Sequence, residues 1–240
     1  MSPWLIEVSG DRFDTDEIAY WFPSGDVFGV ELDGGIYLTG PGLDQCISAA
    51  EAREYGAAAL DEFAAAISVL SPKFVKPEVG SVILLDDEGR RHATVFAMAA
   101  SITVRAKAHG TLEISGQTQP AETQGQRLIR TVRERSHLMT AASLWSEANR
   151  SWPRLYRILE EIESDLGQTV NRARFCSRNE RQRFTQSANS AEIAGKDARH
   201  ARSKFDIADD PMTLSEALTF IHGLLQKAVQ RREVRPSRQI

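Results

Sequence analysis

Hydrophobic positions at the start of the chain predict short strands separated by turns. Residues 4–8 predict a strand, and an acidic segment from Asp14 predicts a short helix that ends before Pro23. Residues 27–32 and 36–39 flank Asp33-Gly-Gly, whose glycines favour a tight turn. We therefore expect a β-hairpin after the first strand and helix.

A long helix is predicted next, because Ser48 and Glu51 have the capping-box spacing that opens helices. It should run to about residue 70, where Ser71-Pro72 ends it. Its predicted inner face consists of five residues at helical spacing: Ala52, Tyr55, Ala59, Phe63 and Ile67.

A second hairpin is predicted from two further runs rich in β-branched residues, 79–85 and 92–106. The acidic turn sequence Asp86-Asp-Glu-Gly89 lies between them. These three acids could hold a divalent cation, but acids in a hairpin turn are more often simply solvated. Two hairpins and a long helix favour a small antiparallel or mixed sheet with a helix on one face.

From residue 127 the hydrophobic period becomes helical. Residues 127–148 predict one helix, and Ser151-Trp-Pro153 begins a second that Gly167 ends. Capping boxes at Ser177/Glu180 and Thr213/Glu216 open two more helices. Four helices predict a bundle.

The fold class predicted is therefore α+β, followed by an all-α bundle of about four helices. Its first domain should cover residues 1–116, and the bundle should cover residues 127–240. Residues 117–126 are poor in groups that can be buried, which predicts a linker.

Charge divides along the same boundary. Residues 1–119 contain 8 Lys and Arg against 18 Asp and Glu, a net charge of −10, whereas residues 120–240 contain 21 against 15, a net charge of +6. Such asymmetry indicates either an anionic partner for the basic half or docking of the two halves on each other.

Other features of the sequence narrow the class of protein. Cys46 and Cys176 are too far apart for a disulfide framework or a paired metal site, so we expect reduced thiols and no cofactor. The most apolar stretch, residues 93–104, is too short to span a bilayer, and the acidic N-terminus does not resemble a secretory leader. These features predict a cytoplasmic protein that does not enter membranes.

An arginine-rich stretch runs from the end of the second predicted helix into the third, with Phe175 and Phe184 interleaved. Its arginines are Arg172, Arg174, Arg178, Arg181 and Arg183. On a helix, Arg174, Arg178 and Arg181 would share one face, as contact with phosphate groups requires. A solvated face paired to Glu180 and nearby acids is the alternative interpretation.

The segment 184–204 is more polar than a connection between two helices requires, and long polar loops often carry function. The segment contains Ser187-Ala-Asn189, Gly195 and Ala198-Arg-His200. It is followed by Pro211-Met-Thr and Glu216-Ala. This series resembles a signature of uncharacterised bacterial proteins whose α/β region precedes a helical tail. The resemblance implies no activity, but it directs attention to Asn189, Arg199 and His200.

A bundle carrying polar Arg and His also resembles the HEPN ribonucleases, in which an Arg and a His with four to six residues between them act on RNA. That spacing occurs at Arg130 and His137, whereas Arg199 and His200 are adjacent. The resemblance implies a metal-independent ribonuclease of the kind found in defence or toxin systems. If the polar segment itself is a site, His200 would exchange a proton, Arg199 with Lys196 would meet an anion, and Asn189 would orient a ligand or fix the loop through its own backbone. If the segment is only structural, Asn189 and His200 should be buried with their polar atoms satisfied by nearby backbone.

Sequence motifs for several enzyme classes are missing, including a Gly-rich phosphate loop, His-Glu-x-x-His, Gly-x-Ser-x-Gly and Cys-x-x-Cys. We therefore expect an interaction or regulatory protein rather than a metabolic enzyme. Its basic half should contact an anionic partner, with self-association or a protein partner expected and nucleic acid as a further candidate. A HEPN-like ribonuclease is the alternative.

Overall fold

The computed structural model describes residues 4–86, 88, 90–95, 122–194 and 210–231. The chain divides into two compact units, Met1–Arg130 and Thr131–Ile240. The sheet lies in the first unit and the helical bundle in the second, so the fold class is α+β. The predicted domain limits at residues 116 and 127 stay a prediction.

Within the described residues, five strands form one antiparallel sheet in the order β2-β3-β1-β4-β5. Their bounds are β1 Trp4–Ser9, β2 Phe28–Leu32, β3 Gly35–Thr39, β4 Glu78–Leu85 and β5 Arg91–Thr94. Both predicted hairpins are present, with β2 paired to β3 and β4 paired to β5. The part of the second predicted run from residue 96 onward lies outside the described residues.

Helix α1, Arg12–Trp21, begins earlier than the acidic segment at Asp14 predicts. Asp11 caps it by accepting a hydrogen bond from the N–H of Phe13 at 3.0 Å. The carboxylate of Asp14 instead accepts a hydrogen bond from the N–H of Val75 at 3.1 Å. Asp14, which the sequence predicts to cap its own helix, therefore fixes the distant segment at Val75.

Helix α2, Ala49–Leu70, follows a short 3-10 turn at Pro41–Gln45 and packs on the sheet. Its start is as predicted at Ser48, but the Glu51 carboxylate accepts from the N–H of Ile47, so the reciprocal half of the capping box is missing. The predicted inner face was wrong at Tyr55, which is exposed. Gly56 faces the sheet instead, and a Cβ there would collide with the Cδ1 atom of Ile6.

The second half contains α3 Gln124–Arg133, α4 Ser136–Ser146, α5 Trp152–Leu166, α6 Arg178–Asn189, α7 Ala191–Ala194 and α8 Leu214–Gln230. Helix α5 lies against α4, α6 and α8, and the four form the predicted bundle. Fully buried aromatic and aliphatic side chains fill its core, among them Trp145, Ile158 and Phe184.

Two predictions about α3 and α4 were wrong. Helix α3 begins at Gln124, inside the predicted linker, because Thr123 caps it and the Gln126 side chain bonds the carbonyl of Ser24 at 2.8 Å. The single helix predicted over residues 127–148 is also interrupted at Arg135. The Arg135 side chain turns inward, where it bonds the carboxylate of Asp165 and the carbonyl of Ala228.

Candidate functional site

A compact turn between α5 and α6 forms the frame of the candidate site. Gly167 adopts φ 64°, which ends α5 in a left-handed conformation that glycine accepts without strain. The following turn is held by its own backbone, since the N–H of Phe175 donates to the carbonyl of Val170 at 2.9 Å. Val170 is fully buried, so the turn is anchored in the bundle core.

Glu163 ties this turn to α6. Its Oε1 atom accepts hydrogen bonds from the N–H of Val170 at 3.0 Å and from Nε of Arg181 at 2.7 Å. Its Oε2 atom accepts a second bond from the Arg181 guanidinium at 2.9 Å. The pair is a two-pronged, charge-assisted contact, and the hydrogen bond to Glu163 raises the pKa of Arg181.

A groove of about 610 Å³ opens between the turn and α6. It is lined by seven polar or cationic side chains: Thr169, Asn171, Arg172, Arg178, Arg181, Gln182 and Thr185. No carboxylate is among the described residues that line the groove, so these residues present cationic and neutral polar groups to a ligand.

The segment 167–183 contains five arginines and one acid, a net charge of +4. The one acid, Glu180, is already used: its carboxylate accepts from the N–H of Ser177 at 2.7 Å, and this bond lowers the pKa of Glu180. Two of the arginines are also used. Arg181 binds Glu163, and Arg183 binds both Asp210 and Glu216.

The other three arginines of this segment have no acidic partner among the described residues. Arg172 and Arg178 line the groove, and Arg174 lies two residues after Arg172 in the turn. All three side chains are exposed. Arg174 also adopts φ 62°, a backbone conformation uncommon for residues other than glycine. Three neighbouring cations without an acidic partner among the described residues form a surface that favours anions.

Three neutral side chains in the groove are also free to bind a ligand. Within the described part of the chain, Thr169, Asn171 and Gln182 make no side-chain hydrogen bond to protein. The hydroxyl of Thr185 differs, because it donates to the backbone of α6 at 3.0 Å. Two free amides and one free hydroxyl can each donate and accept hydrogen bonds.

The residues predicted to bind nucleic acid are only partly brought together. Arg178 and Arg181 both line the groove from α6, whereas Arg174 precedes the helix rather than lying on it. Lys196 lies outside the described residues. Arg181 forms the groove wall with its charge compensated by Glu163.

The predicted catalytic group is described only at Asn189, the last residue of α6. Asn189 is 6% exposed, its amide donates to the carbonyl of Thr185 at 2.7 Å, and its Oδ1 atom has no partner among the described residues. The polar loop expected to begin here contains the short helix α7. Arg199 and His200 lie outside the described residues, so their roles stay predictions.

The HEPN-like spacing at Arg130 and His137 falls on two side chains with acidic partners. Arg130 binds Glu122 at 2.7 Å within the first unit. His137 bonds the buried carboxylate of Glu161 at 2.7 Å within the second unit. Each contact accounts for its side chain structurally.

The acidic turn Asp86-Asp-Glu is occupied by cations of its own hairpin. The Asp86 carboxylate accepts from Arg90 at 2.7 Å and contacts His92 at 3.0 Å, and these hydrogen bonds lower the pKa of Asp86. Glu88 pairs with Arg90, and Asp87 lies outside the described residues. Where the structure describes the chain, no three His, Cys, Asp or Glu side chains are clustered to hold a metal ion.

The sequence predicts the arginine-rich stretch, including Arg172, but it does not predict that Asn171 and Gln182 line a groove beside it. A local signal existed, since Gly167 ends α5 and the cap at Ser177 opens α6 ten residues later. A compact turn must therefore lie between them and present its polar side chains. The partner of each arginine could not be predicted, because Glu163 lies 18 residues before Arg181.

Fold and site together define a class: an α+β protein whose helical half carries an arginine-lined groove. No protein-family model matches the chain, and comparisons with curated proteins and with solved structures give no significant match. No helix of the described residues has the length and apolar character needed to cross a membrane.

Proposed function

We propose that the helical half binds nucleic acid through its phosphate backbone, with the groove between α5 and α6 as the contact surface. In this proposal the protein is an interaction or regulatory protein rather than a metabolic enzyme. One observation carries it: Arg172 and Arg178, which line the groove, and Arg174, in the adjoining turn, are exposed and lack acidic partners among the described residues.

An ordinary solvated face explains these arginines less well. On such faces cations are interspersed with acids, as at Arg183, which binds Asp210 and Glu216. Around the groove three cations repel one another without compensation, and a bound polyanion would relieve that repulsion. The fixed position of Arg181 supplies a rigid wall, so a ligand need not order the whole site.

A polyanion with regularly spaced phosphates suits the site better than a small anion. Arginine donors match the oxygens of phosphate groups, and release of condensed counterions supports binding to nucleic acid. The net charge of +6 over residues 120–240 would attract such a ligand from a distance.

Salt dependence tests the proposal. RNA affinity should fall linearly with the logarithm of salt concentration, and Arg172→Ala combined with Arg178→Ala should reduce the slope by about 2, since each lost phosphate contact reduces it by about 0.7–0.9. Fluorescence anisotropy between 50 and 200 mM salt, roughly the range over which such contacts weaken steeply, measures this.

Arg154→Ala is the matched control, because it removes one cation of the same unit whose partner, Glu147, lies outside the groove. The control should retain the parent slope and nearly the parent affinity. Equal losses in Arg154→Ala and in a single Arg178→Ala variant would show that only the overall charge of the unit matters, and the groove would be rejected as the site.

A further inference from the structure

The lining of the groove differs from that of proteins that bind single strands. We infer that its ligand is the sugar–phosphate backbone of double-stranded RNA. The inference rests on the proposed function and specifies its ligand. It is carried by three features of the groove: unpaired arginines, free neutral hydrogen-bonding groups and a lining without aromatic rings.

Aromatic side chains distinguish the two kinds of ligand, because proteins that bind single strands commonly stack bases on exposed aromatic rings. None of the seven lining residues is aromatic. The aromatic residue of α6, Phe184, is fully buried and contacts the rings of Tyr156 and Phe220. Phe175, in the adjoining turn, is half-buried and does not line the groove. The described lining therefore offers unstacked bases no aromatic platform, whereas a duplex keeps its bases stacked and presents mainly its backbone.

The neutral amide side chains of the groove match the hydroxyl groups of ribose. Asn171 and Gln182 stand beside Arg172 and Arg178, and neither amide bonds a protein group within the described residues. A ribose 2′-hydroxyl both donates and accepts, as an amide does, and it distinguishes RNA from DNA. Double-stranded RNA is recognised largely through 2′-hydroxyl and phosphate contacts, which require this mixture of arginine and neutral polar groups.

Hydrogen bonds hold the wall of the groove rigidly. Recognition of a regular duplex requires side chains held at fixed separations. Two carboxylates fix this wall: Glu163 holds both the turn at Val170 and helix α6 at Arg181, while Glu180 caps α6 at Ser177. Arg172 in the turn and Arg178 in α6 therefore lie on two segments that hydrogen bonds to Glu163 join to each other.

Four probes of one sequence test the inference: single-stranded RNA, double-stranded RNA, double-stranded DNA and the RNA–DNA hybrid. The full chain should bind double-stranded RNA about tenfold more tightly than single-stranded RNA and about fivefold more tightly than double-stranded DNA. The second factor corresponds to one or two net hydrogen bonds.

The variant Asn171→Ala/Gln182→Ala separates hydroxyl contacts from phosphate contacts. It should bring the affinities for duplex RNA and duplex DNA together while leaving the salt dependence unchanged. Arg172→Ala/Arg178→Ala should do the reverse, weakening every probe and reducing the salt slope. Thermal melts that match the parent protein would show that both variants fold.

The outcomes distinguish the two proposals. Binding of all probes with dependence on the arginines, but equal or tighter for the single strand, would overturn the inference and leave the proposed function standing. A preference for duplex RNA that survives in Asn171→Ala/Gln182→Ala would also overturn the assignment of the amides. No binding of any probe would reject both proposals.

Discussion

The Arg181 guanidinium donates two hydrogen bonds to the Glu163 carboxylate, at 2.7 and 2.9 Å. Because Glu163 also accepts the N–H of Val170, one carboxylate joins the end of α5, the turn after it and α6. Both side chains of the pair are half-buried, with 17% of the Glu163 side chain and 28% of the Arg181 side chain exposed. A pair in this environment is less screened than one at the surface.

Replacement of Glu163 by Gln should therefore lower both stability and RNA affinity. Gln retains an acceptor for Val170 but leaves the Arg181 charge uncompensated, so we expect a loss of about 1–3 kcal/mol in the free energy of unfolding. Urea denaturation measures it. Glu31→Gln is the control, since its pair with Arg12 is exposed and should contribute less than about 1 kcal/mol. Equal losses in the two variants would contradict a structural role for Glu163.

Arg174→Gly should separate stability from binding. Arg174 adopts φ 62°, where a residue with a Cβ has a steric penalty of about 1–2 kcal/mol that glycine avoids. This gain in stability is partly offset by the greater freedom of glycine in the unfolded chain. Stability should therefore stay within about 1 kcal/mol of the parent value, on the stabilising side. RNA affinity should fall, because a groove-side cation is lost.

Asp33→Gly is the matched control for that substitution. Asp33 adopts φ 52° in the turn between β2 and β3, so the same backbone relief is obtained without removal of a cation. The substitution also removes an exposed ion pair with Arg91, which should contribute less than about 1 kcal/mol. Its thermal midpoint should change as in Arg174→Gly, while its RNA affinity should not fall. A marked loss of stability in Arg174→Gly would show that the Arg174 side chain has a structural role.

Gly56→Ala should destabilise the first unit by about 1–3 kcal/mol, the usual cost of overpacking a tight core. A Cβ at residue 56 would collide with Cδ1 of Ile6, which is fully buried in β1. Ile6→Val removes that methyl group, so the double variant should recover part of the loss. A double-mutant cycle by urea denaturation measures this coupling, and strict additivity would contradict the contact.

Acid should weaken the start of α8 through Glu216. Its pKa is lowered by hydrogen bonds from Thr213 and by Arg183, so the charged carboxylate favours the folded state. The contribution is complete above the unfolded pKa of glutamate, about 4.3, and is lost as the pH falls through the lower folded pKa. Glu216→Gln should therefore reduce the difference between urea midpoints measured at acid and neutral pH.

Thr213→Ala provides the comparison for that experiment. It removes the hydroxyl that caps the N–H of Glu216 and also donates to the Glu216 carboxylate, so it should lower stability by about 1 kcal/mol at neutral pH and by somewhat less at acid pH. Most of the acid dependence should remain, because the Thr213 N–H still bonds the carboxylate. A larger loss of acid dependence in Thr213→Ala than in Glu216→Gln would contradict the assignment.

Short-range features of this fold were determined by the sequence alone. The capping boxes at Ser177/Glu180 and Thr213/Glu216 form as predicted, and Gly167 ends α5. Each depends on hydrogen bonds or backbone angles within a few residues, so a local pattern suffices. The α+β class followed in the same way, from the change of hydrophobic period along the chain.

Only the tertiary structure decided which side chains are occupied and which are free. The sequence treats Arg172, Arg178 and Arg181 alike, yet folding brings a carboxylate from the preceding helix to Arg181 alone among these three. The same limit explains Arg135, where a predicted continuous helix breaks and the side chain reaches Asp165, 30 residues away. Such partners depend on how helices pack, which a periodic pattern does not specify.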